Sequence, residues 1–202
     1  MSISKNHKGT GQPWMVYTLI GINVLVHALH TLNRKELGLQ PQFAPSLASV
    51  TLENSVLVPG NLYQAPAENW KRIVTSMFSH ANLAHLIFNM AALYEFGRPL
   101  EHKIGAAHLL LIYMLAGLGT NLVYTLFNRK SSVGIVGASA AISGVSAAYF
   151  LEYADRKNMR TWLTFQLFGA FMTATSVGPG VSFVSHLIGF AIGAMVYLFI
   201  RQ

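Results

Sequence analysis

Charge is scarce in this sequence. Only 10% of its 202 residues are Asp, Glu, Lys or Arg, while 52% are hydrophobic. A soluble domain carries about 25% charged residues, so too few charges remain to cover a water-soluble globule of this size. Cysteine is absent, which excludes disulfides, thiolate metal sites and cysteine nucleophiles. Despite a net charge of +7, no Lys/Arg run or aromatic platform points to nucleic acid. The alternating pattern of barrel strands is missing, as are internal repeats, low-complexity tracts and signs of a second domain. After the polar residues 1–13, with Lys5 and Lys8, no small-residue cleavage site is evident. The apolar run that follows therefore reads as a retained span rather than a signal peptide.

What the chain does have is long apolar runs and a mean hydropathy of +0.42. In lipid every backbone N–H and C=O must be paired internally, and runs rich in Leu, Ala, Gly and Met read as helices. Six segments stand out, at residues 14–32, 83–96, 106–127, 137–153, 162–177 and 183–200. The second, fourth and fifth fall short of the roughly 20 residues a full span needs. The predicted fold is an all-α polytopic membrane protein, a bundle of six transmembrane helices forming one membrane domain over residues 14–202. The connection at 33–82 contains Pro41, Pro45, Pro59 and Pro66 but keeps Phe43, Leu47, Val56, Leu57 and Tyr63. It is too apolar for a disordered linker and reads as a structured loop lying partly in the membrane interface. Lys and Arg number 8 on the side of the termini and 6 on the other, a bias towards cytoplasmic termini, as in a bacterial inner membrane.

Polar groups inside spans are costly and normally have a reason to be there. His80, His85 and Asn89 cluster at the start of the second span, Gly137 and Ser139 open the fourth, and His186 opens the sixth. Spans two, four and six run in one direction, so all of these groups lie at similar depth on one side. His85 and Asn89, four apart, share a helical face. Ser139, Ser143 and Ala147 form one stripe of small residues, and His186, Gly189 and Gly193 form another. Small stripes allow close helix approach, which would bring Ser139 against His186. A serine hydroxyl needs an adjacent base, and neutral imidazole serves near pH 7. The Ser139 N–H, the Asn89 amide and the His85 ring are candidate donors to an oxyanion, and Gly137 permits a tight turn beside it. No Asp or Glu lies in the last two segments, so a Ser–His dyad is expected rather than a triad.

Residues 72–90, RIVTSMFSHANLAHLIFNM, and residues 100–105, LEHKIG, resemble segments of the rhomboid family of intramembrane serine proteases, as do residues 136–144, VGASAAISG, and 185–193, SHLIGFAIG. The resemblance runs from about Trp70 to Ile200, with the motifs in order on matching spans. It implies Ser139 as nucleophile, His186 as general base, His85 and Asn89 as oxyanion partners, and Gly137 as shaping the site. It also implies cleavage of the transmembrane segments of other membrane proteins, lateral entry gated by the fifth span, contact with membrane lipids, and no metal or cofactor. One departure is Ala140, where the family usually has Gly. A methyl there is unwelcome if the backbone needs positive φ and harmless if the residue is already helical; the residues that follow read as helix.

Rival readings are a rhomboid-like protein that holds transmembrane helices without cutting, a histidine metal site, and a transporter. His80 and His85 are five apart, a poor spacing for ligands on one helical face, and no intramembrane carboxylate supports them. A transporter would show paired charges or broken helices near mid-membrane in both halves. Glu101 reads as a residue that ends or caps an element, and His80 as structural.

Overall fold

The computed structural model describes residues 12–36, 55–153, 159–160 and 179–202. Among the described residues the chain is helical, and its one extended pairing is an isolated antiparallel bridge between Leu57 and Ile135. Three helical stretches are long and apolar enough to cross a membrane: Trp14–Leu32, Ala106–Phe127 and Phe183–Ile200. These match the first, third and sixth apolar segments. The fifth, at 162–177, lies outside the described residues.

Helix α1 (Trp14–Glu36) extends past the expected end at 32. Its Val16 and Leu19 are buried, whereas Trp14, Tyr17, Leu25, Leu29 and Leu32 are exposed, so one face meets the bundle and the other faces lipid. The first N–H groups of a helix have no intrahelical partner. Here the Met15 and Val16 N–H groups donate to the two Glu101 carboxylate oxygens at 2.9 and 2.8 Å. The carboxylate also meets the positive end of the helix dipole. Glu101 is thus a cap, and it caps a helix 85 residues away rather than its own.

Helix α2 (Leu83–Ala92) starts where Asn82, in extended conformation, accepts the His85 N–H on its side-chain oxygen at 2.8 Å, a standard N-cap arrangement. The apolar segment at 83–96 does not stop there. A π-type turn over Leu93–Gly97 leads directly into α3 (Arg98–Ile104). Pro99 accounts for the turn: it has no N–H to donate and its ring crowds the carbonyl four residues back, and a locally wider helix absorbs both. Gly105, at φ 83°, ends α3 and starts α4 (Ala106–Phe127).

Helix α5 (Ser139–Tyr153) lies against both α4 and α6 (Pro179–Ile200). It is almost wholly buried from Ala141 to Tyr149. Small residues make this possible. A methyl on Gly144 would run into Ala116 and stand 3.0 Å from the Gly189 carbonyl oxygen, and one on Gly193 would fall on the Gly144 backbone. At the far end of α5 a cluster of Phe96, Tyr149 and Phe150 packs edge to face, with Phe96 5.4 and 5.6 Å from the other two.

The described part of the long connection is structured, as its composition led us to expect. It folds into short helical turns at Pro59–Gln64, Pro66–Asn69 and Arg72–Thr75, then a 3-10 turn at Ser76–Phe78. The Asn121 amide of α4 ties it down, donating to the Ile73 carbonyl at 2.7 Å and to Ser76 Oγ at 3.1 Å. Residues 37–54 lie outside the described part.

Candidate active site

Three elements bring the sequence-predicted residues to one end of the bundle. The loop before α5 is held from both sides: Leu57 and Ile135 exchange backbone bonds at 3.0 and 2.9 Å, and the Gly137 N–H donates to the Ser76 carbonyl at 2.8 Å. Gly137 sits at φ 117°, a conformation side chains rarely adopt. The space a side chain would fill is taken by the His85 ring, whose Cε1 and Nε2 stand 2.7 and 2.9 Å from an ideal Cβ there. Gly137 therefore does two things at once. It turns the chain sharply into α5, and it lets the α2 histidine lie flush against that turn. Since its N–H is committed to Ser76, Gly137 shapes the site without donating to it.

Ser139 is the first residue of α5, so its backbone lies at the positive end of the helix dipole. His186, more than a turn into α6, reaches across the helix contact. Its Nε2 is 2.8 Å from Ser139 Oγ. His186 is buried, and its other ring nitrogen meets no partner among the described residues. Serine and histidine thus form an isolated pair there. Asn89 lies one turn along α2 from His85, also buried, and donates its amide to the His85 carbonyl at 2.8 Å. His80, fully buried in the connector before α2, packs edge-on to His85 with ring centroids 5.1 Å apart. Among the described residues no three His or carboxylate side chains gather around one point suited to a metal ion.

One detail differs from the sequence reading. The closest line of contact between α5 and α6 is not Ser139–Ser143–Ala147 but the row one residue on. Gly189 lies against the backbone of Ala140, and Gly193 against that of Gly144. Ser143 instead donates to the Ser139 carbonyl at 2.9 Å. A one-residue step rotates the helix by about 100°, which moves Ser139 from the centre of the contact to its edge. There its hydroxyl can face a side chain rather than a backbone. Ala140, in contrast, is as the sequence reading favoured. It is helical and partly buried, so the residue needs no positive φ.

Sequence reasoning overlooked Ser76 and Asn121, which hold the Gly137 turn from behind. Asn121 carried a usable signal, as an amide in the middle of an apolar span. Ser76 carried none, because a serine in a loop gives no hint that its carbonyl will take the Gly137 N–H and its hydroxyl the Asn121 amide.

Over most of its length the chain is similar to known proteins. The Rhomboid domain model matches residues 67–202. Over 164 residues the chain is 33% identical to RHOMBOID-like protein 1 of Arabidopsis thaliana, covering 77% of this chain and 40% of that protein. Over 140 residues it is 31% identical to RHOMBOID-like protein 6, mitochondrial, of the same plant, covering 65% of this chain and 45% of the relative. Over 148 residues it is 30% identical to Rhomboid protease GluP of Bacillus subtilis (strain 168), covering 73% of this chain and 26% of that protein. The chain spans less than half the length of each of these relatives. Their plant, mitochondrial and bacterial origins do not single out a bacterial inner membrane. The chain belongs to the rhomboid family, whose domain is a membrane-embedded helical bundle.

Proposed function

We propose that this protein is an intramembrane serine endopeptidase that cuts transmembrane segments of other membrane proteins with a Ser139–His186 dyad. The observation that carries the reading is the 2.8 Å approach of His186 Nε2 to Ser139 Oγ across two packed helices. A hydroxyl has one proton to give, so in the resting dyad Nε2 accepts and the imidazole proton sits on Nδ1. Ser139 Oγ attacks the scissile carbonyl as His186 Nε2 takes its proton. The oxyanion forms between the Ser139 N–H, the His85 ring and the Asn89 amide, at the positive end of α5. His186 then returns the proton to the leaving amine. A water, deprotonated by the same nitrogen, cleaves the acyl-enzyme and restores Ser139. No metal or cofactor enters this scheme.

The domain carrying this chemistry runs over residues 14–202 after a polar segment at 1–13. It has six spans with cytoplasmic termini, and substrate enters laterally between the second and fifth. Ala140 is compatible with the catalytic reading, because its helical backbone leaves the turn before Ser139 undistorted. The test is labelling of detergent-purified protein by a fluorophosphonate, together with cleavage of a model transmembrane substrate. Both are expected in the wild type and absent in Ser139→Ala and His186→Ala. Folded wild-type protein that neither labels nor cuts would favour the helix-binding protein.

A further inference from the structure

The cations at the two ends of the bundle are treated differently. On the side of the termini two described cations have partners. Lys103 pairs with Glu152 at 3.1 Å, and Arg98 donates to the Tyr94 hydroxyl at 2.9 Å. At the site end, Arg72 and Arg129 donate to the Val56 and Leu126 carbonyls at 3.4 and 3.3 Å, and Lys71, Arg129 and Lys130 are exposed, with no ion pair to a described carboxylate. Two of the exposed three lie beside exposed aromatic rings, Lys71 6.0 Å from the Trp70 ring and Arg129 5.3 Å from the Tyr63 ring. Backbone and side-chain bonds hold the parts together. The Gly60 N–H donates to the Ser131 carbonyl at 2.9 Å, and the Asn69 amide to the Asn61 and Ala65 carbonyls at 3.2 and 2.8 Å. Just below, on α4, Phe127 is 84% exposed and Leu126 53%, an apolar surface that belongs in acyl chains.

We propose that Lys71, Arg129 and Lys130, framed by Trp70, Tyr63 and Phe127, form a binding surface for the phosphate of an anionic phospholipid in the leaflet on the site side. Trp and Tyr settle at headgroup depth, which places the ammonium and guanidinium groups at the level of lipid phosphates. Attraction to anionic lipid is worth roughly a fivefold gain per cation near the surface. The exposed Phe127 and Leu126 directly beneath favour a lipid over an acidic protein segment, because only a lipid satisfies the charge and the apolar strip together. The same cations weaken the topological signal of the chain, since basic residues are depleted from translocated loops. Their presence there has a reason if they bind lipid. The consequence is a fixed depth for the loop that carries the Ser76–Gly137 contact. This proposal is independent of whether Ser139 is catalytic.

The experiment is native mass spectrometry of the delipidated full chain titrated with phosphatidylglycerol or phosphatidylcholine. The wild type is compared with the combined Lys71→Gln, Arg129→Gln and Lys130→Gln variant, and folding is checked by circular dichroism. The expected result is a phosphatidylglycerol preference that falls on the order of a hundredfold in the variant, with phosphatidylcholine binding unchanged. Equal binding of the two lipids by the wild type would overturn the proposal, as would a folded variant that keeps the preference. Displacement of phosphatidylglycerol by a short oligoglutamate, but not by excess phosphatidylcholine, would overturn it in favour of an acidic protein partner. If the combined variant does not fold, Arg129→Gln and Lys130→Gln singly carry the same test at about fivefold each.

Discussion

The two ends of this bundle are built on opposite terms. At the end of the termini, carboxylates join helices: Glu101 of α3 holds the first amides of α1, and Glu152 of α5 takes Lys103 of α3 and the Tyr197 hydroxyl of α6. At the site end the buried polar groups are histidine, serine, threonine and asparagine, and no carboxylate lies among them in the described residues. On the proposed function, stability and chemistry would be separated along the bundle. Glu101 is buried and satisfied by two backbone amides, whereas Lys103 of the Glu152 pair is exposed. On the proposed function, a site without a described carboxylate leaves room for a developing oxyanion beside Ser139.

If that division is real, substitutions at the site end should remove activity and leave stability, and the reverse should hold at the other end. The largest effect is expected for His186→Ala and Ser139→Ala. Substrate cleavage should fall by on the order of 10⁴-fold or more, while the unfolding free energy changes by less than about 1 kcal/mol. Cleavage rates and thermal unfolding of the same preparations measure both. Unfolding that drops as sharply as cleavage would break the comparison.

Gly137→Ala comes next and straddles the two categories. It places a Cβ at φ 117° and against the His85 ring. We expect about 1–3 kcal/mol of destabilisation, with cleavage down on the order of 10²-fold through displacement of an oxyanion donor. If His85 has no part in the chemistry, the stability loss will appear with cleavage per folded molecule unchanged. Gly193→Val acts one level deeper, where a side chain would fall on the Gly144 backbone. Overpacking of this kind costs about 1–3 kcal/mol, and parting α5 from α6 should lower cleavage as well as the unfolding temperature.

The site was more legible in the sequence than the fold around it. Ser139, His186, His85 and Asn89 could be placed at one depth because alternate spans run in the same direction, and a four-residue spacing fixed the α2 face. Glu101 could be read as a cap from its place beside a helix end. Its partner could not, because α1 is more than eighty residues away and only the packed bundle brings its first amides near. The π-type turn at Leu93–Gly97 was hidden for a similar reason: Pro99 reads equally well as a helix start, and the segment looked like a short span that ended at 96. The row of contact between α5 and α6 was misplaced by one residue. Serine, alanine and glycine are all small enough to lie there, so periodicity alone does not choose among adjacent rows, and backbone approach at Gly189 and Gly193 does.

Glu101→Gln and Tyr197→Phe sharpen the comparison from the other side. Glu101→Gln keeps one acceptor for α1 but loses the charge at the helix start, at a cost of about 1–2 kcal/mol. Tyr197→Phe is the gentlest change. Tyr197 is fully buried and its hydroxyl donates to Glu152, which keeps Lys103 as a partner after the hydroxyl is gone. The loss is then close to one net hydrogen bond, about 1 kcal/mol, without an orphaned charge. Its effect on cleavage per folded molecule should be negligible, since Tyr197 sits three turns along α6 from His186. The measurement is a double-mutant cycle of Tyr197→Phe with Lys103→Met. Coupling of the two in unfolding free energy, with an unchanged fluorophosphonate labelling rate in all members, is expected if Glu152 joins three helices purely to hold them. A labelling rate that falls with Tyr197→Phe would mean that the far end of α6 sets the His186 to Ser139 approach, and the two ends would no longer be separable.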